Sequence, residues 1–261
     1  MGGHGGAGIR LGFTGLAADY VDTTPQAGRL VALAGLVPGE RVLDAGCGPG
    51  TATALAAAQV GRAGAVLGAD VAEDMLARAR AAVRPHPQAA IVAMDVTALG
   101  FGPATFAAVI ANSVLQFSGP GSLGEWARVT RPGGRIACSL PWGPAVWTEL
   151  CARHVDEAAE PYRSPAQERL AAARVRPDAE RVRQRLGAAA VAVESEPIVQ
   201  SFASPAEAWA SLYRHGARLF LDALPPAALG AFREEFTARV ASGAGAELRS
   251  ELLYWCFTLP G

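Results

Sequence analysis

The sequence predicts an α/β protein built on a seven-stranded, mostly parallel sheet. Three observations point there. Short apolar runs alternate with helix-patterned stretches from about residue 41 to 140. The first of those runs ends in a glycine-rich turn that opens a helix. At 261 residues, with 51% hydrophobic and 18% charged, the chain can bury one large core without disulfide or metal staples. Short buried strands joined by helices cross over right-handedly and give parallel sheets.

The elements follow in order. Residues 13–37 read as a helix, with Thr24 and Pro25 as cap and first-turn proline and Pro38-Gly39 as its end. Arg41 to Asp44 is the first strand, and after the glycine turn an Ala-rich helix runs to about Val60. Ala65 to Asp70 is the second strand, followed by a helix over about 73–83. Ile91 to Ala93 is the third strand and Thr105 to Ala111 the fourth. Arg135 to Leu140 is the fifth, after a turn at Arg131-Pro132-Gly133-Gly134. Residues 141–177 break the alternation and read as a helical insertion. A helix over 178–187 and a strand over 190–195 resume the pattern, a second helical insertion occupies about 204–241, and Leu248 to Leu259 reads as an edge strand. The expected organisation is an N-terminal helical lid segment (1–37), a core (38–140), a lid insertion (141–177) and a completion of the core (178–261). Open α/β sheets bind ligands outside the carboxyl ends of their strands, so the insertions are expected to cover that edge.

Composition excludes several chemistries. The net charge of -1 offers no field for nucleic acid or an anionic membrane. All 23 basic residues are Arg, which removes Lys Schiff-base chemistry and a lysine-bearing phosphate loop. This Lys-free, Ala-rich usage is that of GC-rich codons. The cysteines at 47, 138, 151 and 256 form no CxxC, so neither a zinc site nor a disulfide framework is expected. The Gly-rich start lacks a signal-peptide pattern and no apolar run reaches membrane-spanning length, so a cytoplasmic monomer or homodimer is expected.

The most informative segment is Val42-Leu43-Asp44-Ala45-Gly46-Cys47-Gly48-Pro49-Gly50-Thr51. A dinucleotide loop of the form G-x-G-x-x-G fails, because its sixth position is Thr51. The form D-x-G-x-G-x-G fits without a gap. Asp70 lies about 20–26 residues further on, the usual offset for a carboxylate that accepts ribose hydroxyls. A helix N-cap is its alternative role.

This segment resembles the first motif of class I S-adenosylmethionine methyltransferases, and the resemblance continues in order over about 40–140. Leu67-Gly68-Ala69-Asp70 resembles their second strand, Ala93-Met94-Asp95-Val96 their adenine-contacting turn, Phe106 to Ile110 their fourth strand, and Arg131 to Gly134 the turn before the fifth. One departure is Ala107, where many relatives carry Asp. The resemblance implies a Rossmann-like fold and S-adenosylmethionine as cofactor, with S-adenosylhomocysteine as product. It implies binding by Asp44, Gly46, Cys47, Gly48 and Gly50 at the methionine end, by Asp70 and Val71 at the ribose, and by Met75, Asp95 and Val96 at the adenine, with Asn112 near the reactive sulfonium. Plain turn, core and buried-thiol roles stand beside these for Asp95, Met75 and Cys47.

For catalysis, Asn112 is a candidate to orient substrate, with a turn-forming role as its alternative. His154 and His215 are the candidate bases, against a surface role for each. Tyr20, Trp142, Trp147, Trp209 and Tyr213 are candidates to line an apolar substrate pocket, although core packing accounts for most such aromatics. No carboxylate pair marks a metal site beside Asn112, so no metal is expected. The function implied is methylation of a small, largely apolar metabolite, at a hydroxyl, in bacterial natural-product biosynthesis. The alternative is a cyclisation or rearrangement catalyst that binds the same cofactor without methyl transfer.

Overall fold

The computed structural model describes residues 24–119, 121–142, 178–214, 221–222, 224–242 and 246–261. Helix α1 (Thr24–Leu33) leads into β1 (Arg41–Ala45), α2 (Thr51–Val60), β2 (Ala65–Asp70), α3 (Glu73–Ala82) and β3 (Ala89–Ala93). Then come β4 (Phe106–Asn112), one turn of helix, α4 (Leu115–Ser118), α5 (Ser122–Val129) and β5 (Thr130–Trp142). The second half holds α6 (Ala179–Leu186), β6 (Ala190–Phe202), α7 (Pro205–Leu212), α8 (Pro226–Ser242) and β7 (Ala246–Thr258).

The seven strands form one sheet in the order β3-β2-β1-β4-β5-β7-β6. Neighbours from β3 to β5 are parallel, and β7 runs antiparallel to both β5 and β6. Strands β1 and β4 carry almost unbroken buried runs, as strands covered on both faces must. On one face, Leu30 and Val31 of α1 and Ala52, Ala56 and Val60 of α2 pack on Val42, Val66, Ile110 and Tyr254. On the other, Leu123, Trp126 and Val129 of α5 pack on Val109, Ile136, Cys138 and Trp255. The small side chains of α2 let it lie close to the sheet. At the amino edge, the buried Glu40 accepts from the Val37 N–H at 3.0 Å and pairs with Arg135 at 2.5 Å, while Arg135 Nε donates to the Ala34 carbonyl at 2.8 Å. That ion pair ties the end of α1 to β5.

Four sequence readings need correction. The last strand is not an edge strand: β7 lies between β5 and β6, and β6 forms the edge. The reason is burial, since Leu252 to Phe257 are all buried, whereas β6 leaves Val193 and Val199 exposed. Residues 131–134 are not a turn before β5 but part of it. Thr130 already pairs with Phe106, and a register shift between Phe106 and Ala108 absorbs the extra residues. Strand β6 continues to Phe202 rather than stopping at 195, because it pairs with β7 along its whole length. Trp142, read as part of an insertion, ends β5 opposite Glu251. The alternation of short strands and helices had hidden these long antiparallel strands.

Candidate active site

The strand order reverses between β1 and β4, and a cleft opens there at the carboxyl ends of β1, β2 and β4. The sequence after β1 turns sharply. Gly46 sits at φ +74°, and a Cβ there would come within 2.5 Å of the Val114 side chain. Glycine at 46 is therefore required by conformation and by the close approach of the segment after β4. The loop is then fastened to β2. The Gly46 and Cys47 N–H groups donate to the Ala69 carbonyl at 2.8 and 2.9 Å, and the Gly48 N–H donates to Asp70 Oδ2 at 2.8 Å.

Asp70 also accepts from the Ala72 N–H through Oδ1 at 2.9 Å. The carboxylate keeps acceptor capacity for a ligand. Burial pushes its pKa above the ordinary carboxylate value, against the N–H donors from Ala72, Gly48 and Val71. Asp95 accepts from both the N–H and the hydroxyl of Thr97 through Oδ1, at 2.9 and 2.7 Å, and Oδ2 carries none of these bonds. The next residue, Val96, is pinned through its carbonyl by Trp126 Nε1, which donates at 3.0 Å. Arg128 and Glu125 clamp the same loop further along, at the Leu99 and Phe101 carbonyls and the Leu99 N–H.

Behind the loop lies Asp44, fully buried. Thr53 donates its hydroxyl to Oδ2 at 2.5 Å, and among the described residues nothing hydrogen-bonds Oδ1. Desolvation pushes the Asp44 pKa up to about 7; the Thr53 hydrogen bond works against that rise and the nearby Asp70 adds to it. Gly68 makes this arrangement possible. A Cβ on it would stand 2.9 Å from Thr53 Oγ1 and 3.0 Å from the Cys47 Cβ.

Of the residues expected to hold a cofactor, Gly46, Gly48, Asp70 and Val71 line the cleft on one side and Met75, Asp95, Val96 and Asn112 complete it. Asp44, Cys47 and Gly50 do not line it. Asp44 and Cys47 are buried beneath the loop, and a Cβ on Gly50 would stand 2.7 Å from the Ala79 α-carbon of α3. Burial lifts the Cys47 thiol well above its usual pKa, so it is no nucleophile. Trp209 and Tyr213 are not at the cleft. They pack with Phe232 and Phe236, the Trp209 ring lying 5.9 Å from that of Tyr213 and 5.7 Å from that of Phe236, as the core of the α7–α8 layer. Trp142 packs against the main core. Tyr20, Trp147, His154 and His215 lie outside the described residues. Sequence reasoning missed Thr53, Trp126 and Ser139. Their signal is weak, because each acts through a neighbour rather than from a motif position.

The charge of the cleft decides between cofactors. Among the described residues, no Arg or His lines it, whereas Asp70 and Asp95 do, with Asp44 behind the loop. Such walls suit a neutral or cationic ligand and oppose a diphosphate. The family model described as "Methyltransferase domain" matches residues 42–134, which hold most of these groups. Over these residues the chain is similar to methyltransferase domains that use S-adenosylmethionine. The chain is 38% identical over 122 residues to aklanonic acid methyltransferase of a Streptomyces species, a match covering 45% of this chain and 56% of that protein. It is 36% identical over 124 residues to nocamycin O-methyltransferase of Saccharothrix syringae, covering 46% and 44%. The chain thus spans about half the length of these curated relatives. In fold it resembles a Bacillus halodurans protein assigned to the methyltransferases, with a TM-score of 0.61, 18% identity, and coverage of 91% of this chain and 100% of that one. Among the described residues, no helix is long and apolar enough to cross a membrane.

Proposed function

We propose that the protein transfers a methyl group from S-adenosylmethionine to a hydroxyl of a small, largely apolar metabolite of natural-product type. The observation that carries this reading is the acidic cleft at the switch point of the sheet, lined by no side-chain cation among the described residues. The likeness to aklanonic acid methyltransferase and nocamycin O-methyltransferase supports the substrate class and the oxygen acceptor.

The residues present fit the cofactor. The remaining lone pairs of Asp70 would take the ribose hydroxyls, charge-assisted bonds worth about 1.5–3 kcal/mol each. Asp95 Oδ2 would accept from the adenine amino group, and the Val96 N–H would meet a ring nitrogen. Met75, buried at the cleft wall, would pack on the adenine face. Gly46 and Gly48 would underlie the methionine end. Bound there, the cofactor supplies an electrophilic methyl on a sulfonium. The chain's part is positioning: an acceptor held about 3–3.5 Å from that methyl and in line gains roughly 7–11 kcal/mol without a metal. The segments 1–23 and 141–177 and the α7–α8 region are proposed to close over the cleft and hold the substrate, whereas residues 24–37, expected to belong to the lid, pack on a face of the sheet and at its amino edge instead. His154 and His215 are the proposed bases for the hydroxyl proton.

Calorimetry tests the cofactor. S-adenosylhomocysteine should bind and NAD should not, and the reverse would sink the reading. Asp70→Ala should weaken S-adenosylhomocysteine at least tenfold, whereas wild-type affinity would remove the ribose assignment. Turnover with a phenolic polyketide should release one S-adenosylhomocysteine per methylated product. Product formed without it would point instead to a cyclisation or rearrangement.

A further inference from the structure

Strands β4 and β5 bring Asn112 and Ser139 into register at their carboxyl ends. Ser139 is fully buried, and its hydroxyl makes two hydrogen bonds. The Ser113 N–H donates to Ser139 Oγ at 2.9 Å, and Ser139 Oγ donates to Asn112 Oδ1 at 2.7 Å. The Ser113 N–H takes one lone pair of the serine oxygen, and the buried hydroxyl hydrogen has Asn112 Oδ1 as its one acceptor among the described residues. Asn112 meets that hydrogen with its carbonyl oxygen. The amide is thereby oriented, and among the described residues nothing takes the hydrogens of Nδ2, in a residue that lines the cleft. Ser113 is held in a left-handed conformation, φ +56°, rare outside glycine. The Ser139 bond contributes to holding that backbone.

The rest of the cleft is rich in acceptors. Asp70 and Asp95 are carboxylates, the Thr97 hydroxyl is spent on Asp95, and the Ser118 hydroxyl is spent on the Val114 carbonyl and Ser122. An anionic group entering this cleft is repelled from the Asp70–Asp95 side and finds no side-chain cation among the described residues. It would be drawn to Asn112, which lies two residues beyond Ile110, the β4 partner of Asp44, and so level with Gly46. We propose that Asn112 Nδ2 donates to the carboxylate at the amino-acid end of the cofactor, and that Ser139 is the positioning residue that turns the amide to do so. This rests on the cofactor reading above.

Two probes separate the parts of the ligand. S-adenosylhomocysteine carries the carboxylate, and 5′-methylthioadenosine keeps the adenosine thioether without the amino-acid chain. Titrated by calorimetry, Asn112→Asp, which keeps an acceptor for Ser139 but offers no N–H, should weaken S-adenosylhomocysteine at least tenfold. It should leave 5′-methylthioadenosine within about twofold. Ser139→Ala should show the same selectivity with a three- to tenfold loss. Binding of 5′-methylthioadenosine also reports that a variant has kept a folded cleft, and if Ser139→Ala does not fold, Asn112→Asp decides. Equal losses for both probes, or unchanged S-adenosylhomocysteine affinity, would overturn the assignment alone. Wild-type protein that binds neither probe would overturn the cofactor reading and this assignment with it.

Discussion

Asp44 illustrates how one motif residue acts without touching the ligand space. It lies under the glycine loop with one oxygen bonded to Thr53 and the other without a hydrogen bond among the described residues. A carboxyl so placed holds its proton more tightly in the folded chain, with a pKa of about 7, than in the unfolded one near 3.8. The sign follows from linkage. The folded state binds more protons over that interval, so this group's contribution to stability is complete below about pH 4 and is lost as the pH rises through about 7. Asp70, also shifted upward, adds in the same direction. The ligand-free protein should therefore lose melting temperature between about pH 5 and 7. Asp44→Asn, which keeps an acceptor for Thr53, should flatten that decline. Parallel melting curves for parent and variant across this range would mean that Asp44 is already ionised. A bound sulfonium nearby favours the carboxylate, so the cofactor should bind the parent more tightly as the pH rises through the same range.

At the scale of elements, the loop after β3 depends on α5 rather than on its own sequence. Trp126 donates to the Val96 carbonyl, and Glu125 and Arg128 hold the backbone at Leu99 and Phe101. Trp126→Phe keeps most of the buried ring and strands that carbonyl, a loss of about 1–3 kcal/mol. It should also weaken S-adenosylhomocysteine several-fold by freeing the Asp95-Val96 turn. Unaltered affinity in a destabilised variant would show that Val96 is held by other means. These supports mark where the sequence was legible and where it was not. The parallel half could be read from Arg41 to Ala111, because buried strands between helices leave periodic apolar runs. The cleft's glycines and acids stand at fixed offsets within that half. Trp126 and Ser139 could not be read, since their partners lie 30 and 27 residues away with no spacing rule to link them. The aromatic residues of α7 were misleading for a related reason. Trp209 satisfies the composition of a binding pocket, yet it fills the core between two helices.

Across the whole molecule, the sheet divides into a parallel part that carries the cleft and an antiparallel part that does not. The β5–β7–β6 segment is joined by thirteen paired positions between β6 and β7 and eight between β5 and β7. Strand β6 has no other neighbour in the sheet. A chain ending at Ser242 should therefore expose 190–202 to protease while cuts within 41–112 stay slow. Equal resistance at both places would show that α6 and the cores hold β6 without β7. Within the parallel part, Glu40 ties the start of β1 to β5 through Arg135, and Glu40→Ala should cost about 3 kcal/mol by leaving a half-buried guanidinium without its carboxylate.

The inward place of β7 also sets a timetable. A ribosome delivers β6 before β7, yet β6 can join the sheet only through β7. From the moment Phe202 is made until Thr258 emerges, the flank of β5 with its apolar Ile136 and Leu140 has no partner strand. The nascent protein must pass that interval with an open sheet edge, a state open to pairing with other chains. Strand β7, made after both of its neighbours, is the one that closes it.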